Sequence, residues 1–170
     1  IVLVLSSVWN LVYAVGIGLV IASLIFMKKV GDLTSESFNI FPIRKGKFKL
    51  PSNLKEEVFI KDIDGPLFFG SSSNFNQRSK EIPLTASILI IRLNKVPYID
   101  QSGLYAIESV INDLVTKDKK VFLVGLNDQP KDLMEKGNII PNLIPREQIF
   151  NDFESSLLSI KNLKKINSKI

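Results

Sequence analysis

The 170-residue chain carries 22 Lys and Arg against 17 Asp and Glu, for a formal charge of +5, and contains neither cysteine nor histidine. That composition excludes disulfides, thiolate metal sites, cysteine nucleophiles and histidine general bases, and with them most familiar enzyme classes. The positive surplus gathers at Lys28, Lys29, Arg44, Lys45, Lys47 and Lys49 and again at Lys161, Lys164, Lys165 and Lys169, which suits an anionic leaflet and a solvated helix face better than a nucleic acid.

The first element in chain order is apolar. From Ile1 to Met27 no residue is charged, and a helix of that stretch would be about 40 Å long against a hydrocarbon core of about 30 Å. It lacks the basic start and small-residue cleavage site of a secretory signal, so residues 1–27 read as a membrane span. Lys28 and Lys29 follow at once, and cations flanking a span tend to stay on the cytoplasmic side, which is where everything after Met27 is expected. Ser6, Ser7, Asn10, Gly16, Gly18 and Ser23 would let further helices approach within lipid; a bundle and a lone anchor are both compatible with them. Because the first residue is Ile1 rather than Met, the expectation is a fragment whose natural start lies upstream.

Residues 28–54 mix charges, Ser, Asn, Gly and two prolines without a sustained period, and read as a juxtamembrane linker with a short strand near Phe48 to Leu50. From Val58 the pattern tightens. In "VFIKDIDGPLFFG" the apolar Val58, Ile60 and Ile63, a turn at Asp64-Gly65-Pro66 and then Leu67, Phe68 and Phe69 predict two short strands joined by a tight turn. Ser71 to Lys80 reads as a short helix opened by a serine cap. "ASILIIRL", Ala86 to Leu93, is the nearly continuous apolar run of a strand covered on both faces. Gln101 to Thr116 repeats apolar residues at three and four (Leu104, Ile107, Ile111, Leu114, Val115), a one-sided helix. A buried strand at Val121 to Val124, a helix from Pro130 to Lys136 closed by Gly137, and a last helix from about Asn151 to Leu163 complete an α/β layered domain.

These residues carry a resemblance. "IIRLNKVPYIDQSGLYAIESVINDL" followed by "KKVFLVGLNDQPKDLMEKGNII" resembles a STAS domain, the module of anti-sigma-factor antagonists and of the cytosolic tails of SulP (SLC26-type) anion transporters. "VYAVGIGLVIASLIFMKKVGDL", with "IDGPLFFGSSSNF" after a linker, is similar to the last span and the start of the STAS domain in the SulP group. The resemblance implies a STAS-type mixed sheet flanked by helices and preceded by one transmembrane helix. It divides the chain into a span (1–27), a linker (28–54), the domain (55–166) and a tail (167–170). It also implies the C-terminal part of a secondary transporter for an anion such as sulfate or bicarbonate. The partners would be the remaining transmembrane helices, a second copy in a homodimer, and a cytosolic regulatory protein or kinase, with no cofactor, metal or nucleic acid. Asn10 stands where such transporters often carry an acid. The helices that form the anion pocket in this family are expected outside this chain, so no residue here is assigned to the transported anion. The rival reading is a membrane-anchored signalling switch controlled by phosphorylation of Ser102.

Candidate site residues follow from both lines. The stretch Asp100, Gln101, Ser102 and Gly103 opens the central helix. Ser102 has two readings: a helix cap satisfying orphan amides, and, as the resemblance implies, a phosphorylation site on a recognition surface. Asp100 is expected to hold the turn's backbone amides or to shape that surface with Ser102. Gly103 is expected to allow close backbone approach or to relieve crowding at the helix start. The turn Asp64-Gly65-Pro66 reads as structural, since "DGPLFFG" lacks the lysine and glycine spacing of a phosphate loop. The acids Asp62 and Asp64, and Glu56 and Glu57, read as solvated turn residues rather than an acid–base pair. The last helix, with Phe153, Leu157, Leu158 and Ile160, packs on the sheet or presents a partner-binding face.

Overall fold

The computed structural model describes residues 11–35, 40–43, 56–69, 71, 82–83 and 85–167, with backbone alone at 32–35 and 164–167. Helix α1 (Leu11–Ser35) contains an apolar stretch, Leu11–Gly31, long enough to cross a membrane; only 6% of its most apolar window is buried. A helix that exposes Leu11, Val12, Tyr13, Leu24 and Phe26 all round needs an apolar surrounding. The hydroxyl of Ser23 donates to the Leu19 carbonyl at 2.8 Å, so this polar group is satisfied within the helix. The helix does not stop at Met27. No proline interrupts it before Ser35, and Lys28 and Lys29 are compatible with continued helical hydrogen bonding.

Beyond α1 lies a five-stranded sheet in the order β1 (Ile40–Pro42), β2 (Val58–Asp64), β3 (Ile88–Lys95), β4 (Lys120–Val124) and β5 (Ile149–Phe150). β1 runs antiparallel to β2, pairing Ile40 with Lys61 and Pro42 with Phe59; every other neighbour is parallel. The parallel pairs are joined by crossover segments, of which α2 (Gln101–Thr116) links β3 to β4, and α3 (Asp128–Lys136) lies between β4 and β5. α4 (Phe153–Asn167) follows β5.

Alternation along the strands builds two cores. Leu89, Ile91 and Leu93 of β3 join Leu104, Ile107, Ile111 and Met134 on the α2 and α3 face, while Ile88 and Ile90 join Phe122, Leu157 and Ile160 on the α4 face. Both faces are covered, which explains the unbroken isoleucine run. The same cover buries Lys61 completely, between the β1 and β3 backbones.

The structure corrects several expectations. β1 lies inside the stretch read as linker, and Ile43 just after it is buried, because the edge of β2 needs a partner. Leu67 does not begin a second strand of a hairpin: it makes an isolated parallel bridge to Ile99, since its N–H donates to the Tyr98 carbonyl (3.0 Å) and its carbonyl accepts from Asp100 N–H (3.0 Å). Asp62 and Asp64 belong to β2 rather than to a solvated turn, and both pair with β3. β5 was not expected; α2 matches its expected bounds. The expected strand at Phe48 to Leu50 and the helix from Ser71 to Lys80 fall, apart from Ser71, outside the described residues.

On the α4 face the Arg92 Nε and Nη2 groups donate to both carboxylate oxygens of Asp62, and the Arg92 guanidinium lies 5.5 Å from the Phe153 ring centroid. β2, β3 and α4 meet at this one group. Both side chains are 31% exposed, so a double-mutant cycle between Asp62→Asn and Arg92→Met is expected to give a coupling of about 1 kcal/mol that shrinks in high salt. Zero coupling would show that the pair is incidental.

Asp152 opens α4. Its Oδ2 accepts from the Ser155 hydroxyl (2.6 Å) and its Oδ1 from the Ser155 N–H (2.8 Å), in that order of effect holding its carboxyl below the ordinary aspartate value. A lowered folded value means that the contribution is complete above about pH 4 and is lost as the pH falls through the folded value. Acidification below pH 4 should therefore fray the first turn of α4 in the wild type, and Asp152→Asn should flatten that part of the profile when amide exchange at Ser155 is followed.

Candidate recognition site at the start of α2

The segment between β3 and α2 is held from several sides. Leu67 pairs with one edge of Ile99. On the other edge the Gln129 side chain does what a neighbouring strand would do: Ile99 N–H donates to its Oε1 and its Nε2 donates to the Ile99 carbonyl, both at 2.9 Å. Asn127 Nδ2 adds a bond to the Val96 carbonyl at 2.7 Å. Both clamps come from the start of α3, Asn127 just before it and Gln129 in its first turn, and nothing in the local pattern of that stretch announced them.

Asp100 then turns the chain into α2. Its backbone is extended (φ −92°, ψ −179°), its Oδ1 accepts from Gly103 N–H at 2.8 Å and its Oδ2 accepts from Phe69 N–H at 3.1 Å. One carboxylate thus caps α2 and ties down the segment after β2. This overturns the reading of Ser102 as the cap. A cap must lie outside the helix and reach the amide three residues on, which Asp100 does; Ser102 is already in the first turn. Ser102 is half-buried, and among the described residues its hydroxyl makes no hydrogen bond. The expected role of Asp100 on turn amides is what the structure shows.

Gly103 is buried where α2 lies on the backbone of Leu67: an added Cβ would come 2.5 Å from the Leu67 carbonyl oxygen. Gln101 is exposed, and three large aromatic side chains near this end, Phe69 (71%), Tyr98 (52%) and Tyr105 (61%), are exposed too. The second predicted turn, Asp64 to Pro66, immediately precedes Leu67 in the chain. Asp64 pairs with Lys95 at 2.6 Å, a hydrogen bond and charge that raise the Lys95 ammonium above its usual value; Gly65, at φ 96°, donates to the Lys95 carbonyl at 3.1 Å. Leu67 therefore joins the two predicted regions, Asp64 to Pro66 and Asp100 to Gly103. Glu56 and Glu57 lie away at the start of β2. Among the described residues no cluster of three or more acids is placed to hold a metal ion.

A mixed five-stranded sheet with α2 and α3 on one face, α4 on the other and a capped helix start after the third strand defines the STAS fold. The chain belongs to the STAS-domain family, which matches residues 51–156, and is homologous to SulP/SLC26 transporters. It is 25% identical over 163 residues to the bicarbonate transporter BicA of Synechocystis sp., covering 92% of this chain and 28% of BicA. A sulfate transporter family protein from Wolinella succinogenes superposes with a TM-score of 0.60 at 25% identity, over 70% of this chain and 93% of that one. The murine Solute Carrier 26 family member A9 anion transporter shares the fold over 95% of this chain and 27% of its own, with a TM-score of 0.67 at 17% identity. The chain spans about a quarter of the length of the curated relatives it matches.

Three substitutions separate the roles at the α2 start. Gly103→Ala is expected to cost about 2 kcal/mol, because backbone must move to admit a methyl group. Asp100→Ala should cost about 1 to 2 kcal/mol as a lost cap, and Ser102→Ala no more than about 0.5 kcal/mol. Thermal unfolding of the full chain in lipid nanodiscs measures all three, and a Ser102→Ala loss larger than that of Asp100→Ala would contradict the capping assignment.

Proposed function

We propose that this chain is the C-terminal part of a SulP-type secondary transporter for a small anion of the sulfate or bicarbonate class, with α1 as the last span and the STAS domain in the cytoplasm. The observation that carries the reading is the continuous similarity to BicA, whose 92% coverage extends through α1 as well as the domain. The physical form of α1 supports it: an apolar surface exposed all round, followed by Lys28 and Lys29. Only residues 36–39 separate α1 from β1, a tether that reaches at most about 18 Å. The domain stays at the membrane and its first strand feels any movement of the last span. Regulation, folding and homodimer contacts are the roles that such an attachment suits. A regulatory protein or kinase acting at Asp100 to Gly103 belongs to the same reading, supported by the half-buried hydroxyl of Ser102, which makes no hydrogen bond among the described residues, on a helix start capped by Asp100.

The absence of cysteine makes the topology directly testable. In cells, Asn162→Cys is expected to react with a membrane-impermeant maleimide only after lysis, and Leu19→Cys to stay unreactive in both states. Labelling of Asn162→Cys in intact cells would sink the proposed orientation. For transport, the complete reading frame containing this chain, expressed in a host lacking sulfate and bicarbonate uptake, should restore accumulation of one labelled anion. Failure with both, at normal membrane abundance, would refute the substrate class.

A further inference from the structure

α2 turns one side away from the sheet, and along it Tyr105, Glu108, Ser109 and Asn112 recur at helical spacing. Facing them is the loop after α3, brought close because Gly137 has no side chain: a Cβ there would meet Leu104 Cδ2 at 2.8 Å. Between helix and loop runs an open groove of about 490 Å³, lined by those four residues together with Asn138 and Asn142.

The lining chemistry is particular. Asn112, Asn138 and Asn142 present carboxamides, each with two donors and an acceptor, the complement of a peptide's own N–H and C=O groups. Glu108 is the one carboxyl side chain of the lining, and among the described residues no ion pair engages it. Tyr105 stands three residues earlier, on the same side of the helix and 61% exposed. A cation held by the Glu108 carboxylate would lie beside the Tyr105 ring and gain from both. Small-molecule sites are mostly apolar and enclose their ligand; this groove is open and rich in amides.

We propose that the α2 groove binds an extended peptide segment of a partner protein, pairing the peptide backbone with the Asn112, Asn138 and Asn142 carboxamides and one lysine or arginine with Glu108 and Tyr105. Charge complementarity selects this occupant, since Glu108 offers a lone negative charge to a basic side chain. The site differs from the Asp100 to Gly103 surface and requires neither modification of Ser102 nor transport by the parent protein, so it can fail or hold independently of the reading above.

The test pans a library of random 12-residue displayed peptides against the full chain in nanodiscs, then measures synthetic peptides by fluorescence anisotropy. The expected peptides share one basic residue, and binding weakens at least tenfold with Glu108→Gln or with glutamine at that peptide position. Tyr105→Leu and Asn142→Ala should each weaken it about fivefold, while the exposed α4 change Asn162→Ala leaves it unaltered. Glu108→Lys should lose the basic peptide and bind its version with glutamate at that position, an exchange that misfolding cannot produce. Recovery of no peptide, peptides without a common basic residue, or equal binding by Glu108→Gln would overturn the proposal. Self-association abolished by Glu108→Gln would assign the groove to a second copy and overturn it as well.

Discussion

At Gly103 the first turn of α2 rests on the backbone of Leu67, so closely that a single methyl group would come within 2.5 Å of the carbonyl oxygen. Around this contact the segment after β2 and the segment after β3 are fastened to each other. Leu67 exchanges backbone hydrogen bonds with Tyr98 and Asp100, and the Asp100 carboxylate spans from Gly103 to Phe69. With those ends joined, β2 and β3 lie side by side and parallel, and α2 is set down over Leu89 and Ile91 at a defined height. Gln129 and Asn127 close the assembly from the β4–α3 side. The proposed recognition surface, built on such a start, would be preorganised, which lowers the ordering cost of binding.

The opposite face answers to a different need. The Asp62 and Arg92 pair, covered by Phe153, joins two strands to α4, and the Phe122 and Phe150 rings of the same face pack with centroids 5.6 Å apart. Within α4, Leu157 and Ile160 are buried while Leu158 is 59% exposed, so the helix mainly packs on the sheet. β1 brings the chain from α1 straight onto the sheet edge. The edge that would otherwise be free for pairing is thereby occupied by the first strand after the apolar helix.

How much of this was legible depended on the range of the interactions involved. The one-sided pattern of Leu104, Ile107, Ile111 and Leu114 placed α2 between the residues it occupies, because helix periodicity is written locally. The isoleucine run announced β3, and Gly103 announced a close approach without naming what approaches. Ser102, by contrast, looked like a cap because serine is a good one, yet Asp100 stands at the right register and carboxylate geometry lets it serve two amides at once. β1 was missed because three residues with a proline carry almost no pattern. The burial of Lys61 carries no signal in the apolar positions Val58, Ile60 and Ile63, because alternation along one strand cannot show that both faces are covered.

The apolar helix, the succession β2, β3, α2, β4, α3 and α4, and the absence of histidine and cysteine chemistry are properties of residue identity and short-range spacing, and they could be read from the chain alone. The partners of Asp62, Asp64, Ile99 and Leu67, each about 30 residues distant in the chain, could not. Nor could the groove beside Glu108, whose two walls come from α2 and from the loop after α3. Such contacts depend on which loops the packed sheet brings together, a three-dimensional condition that no local period records.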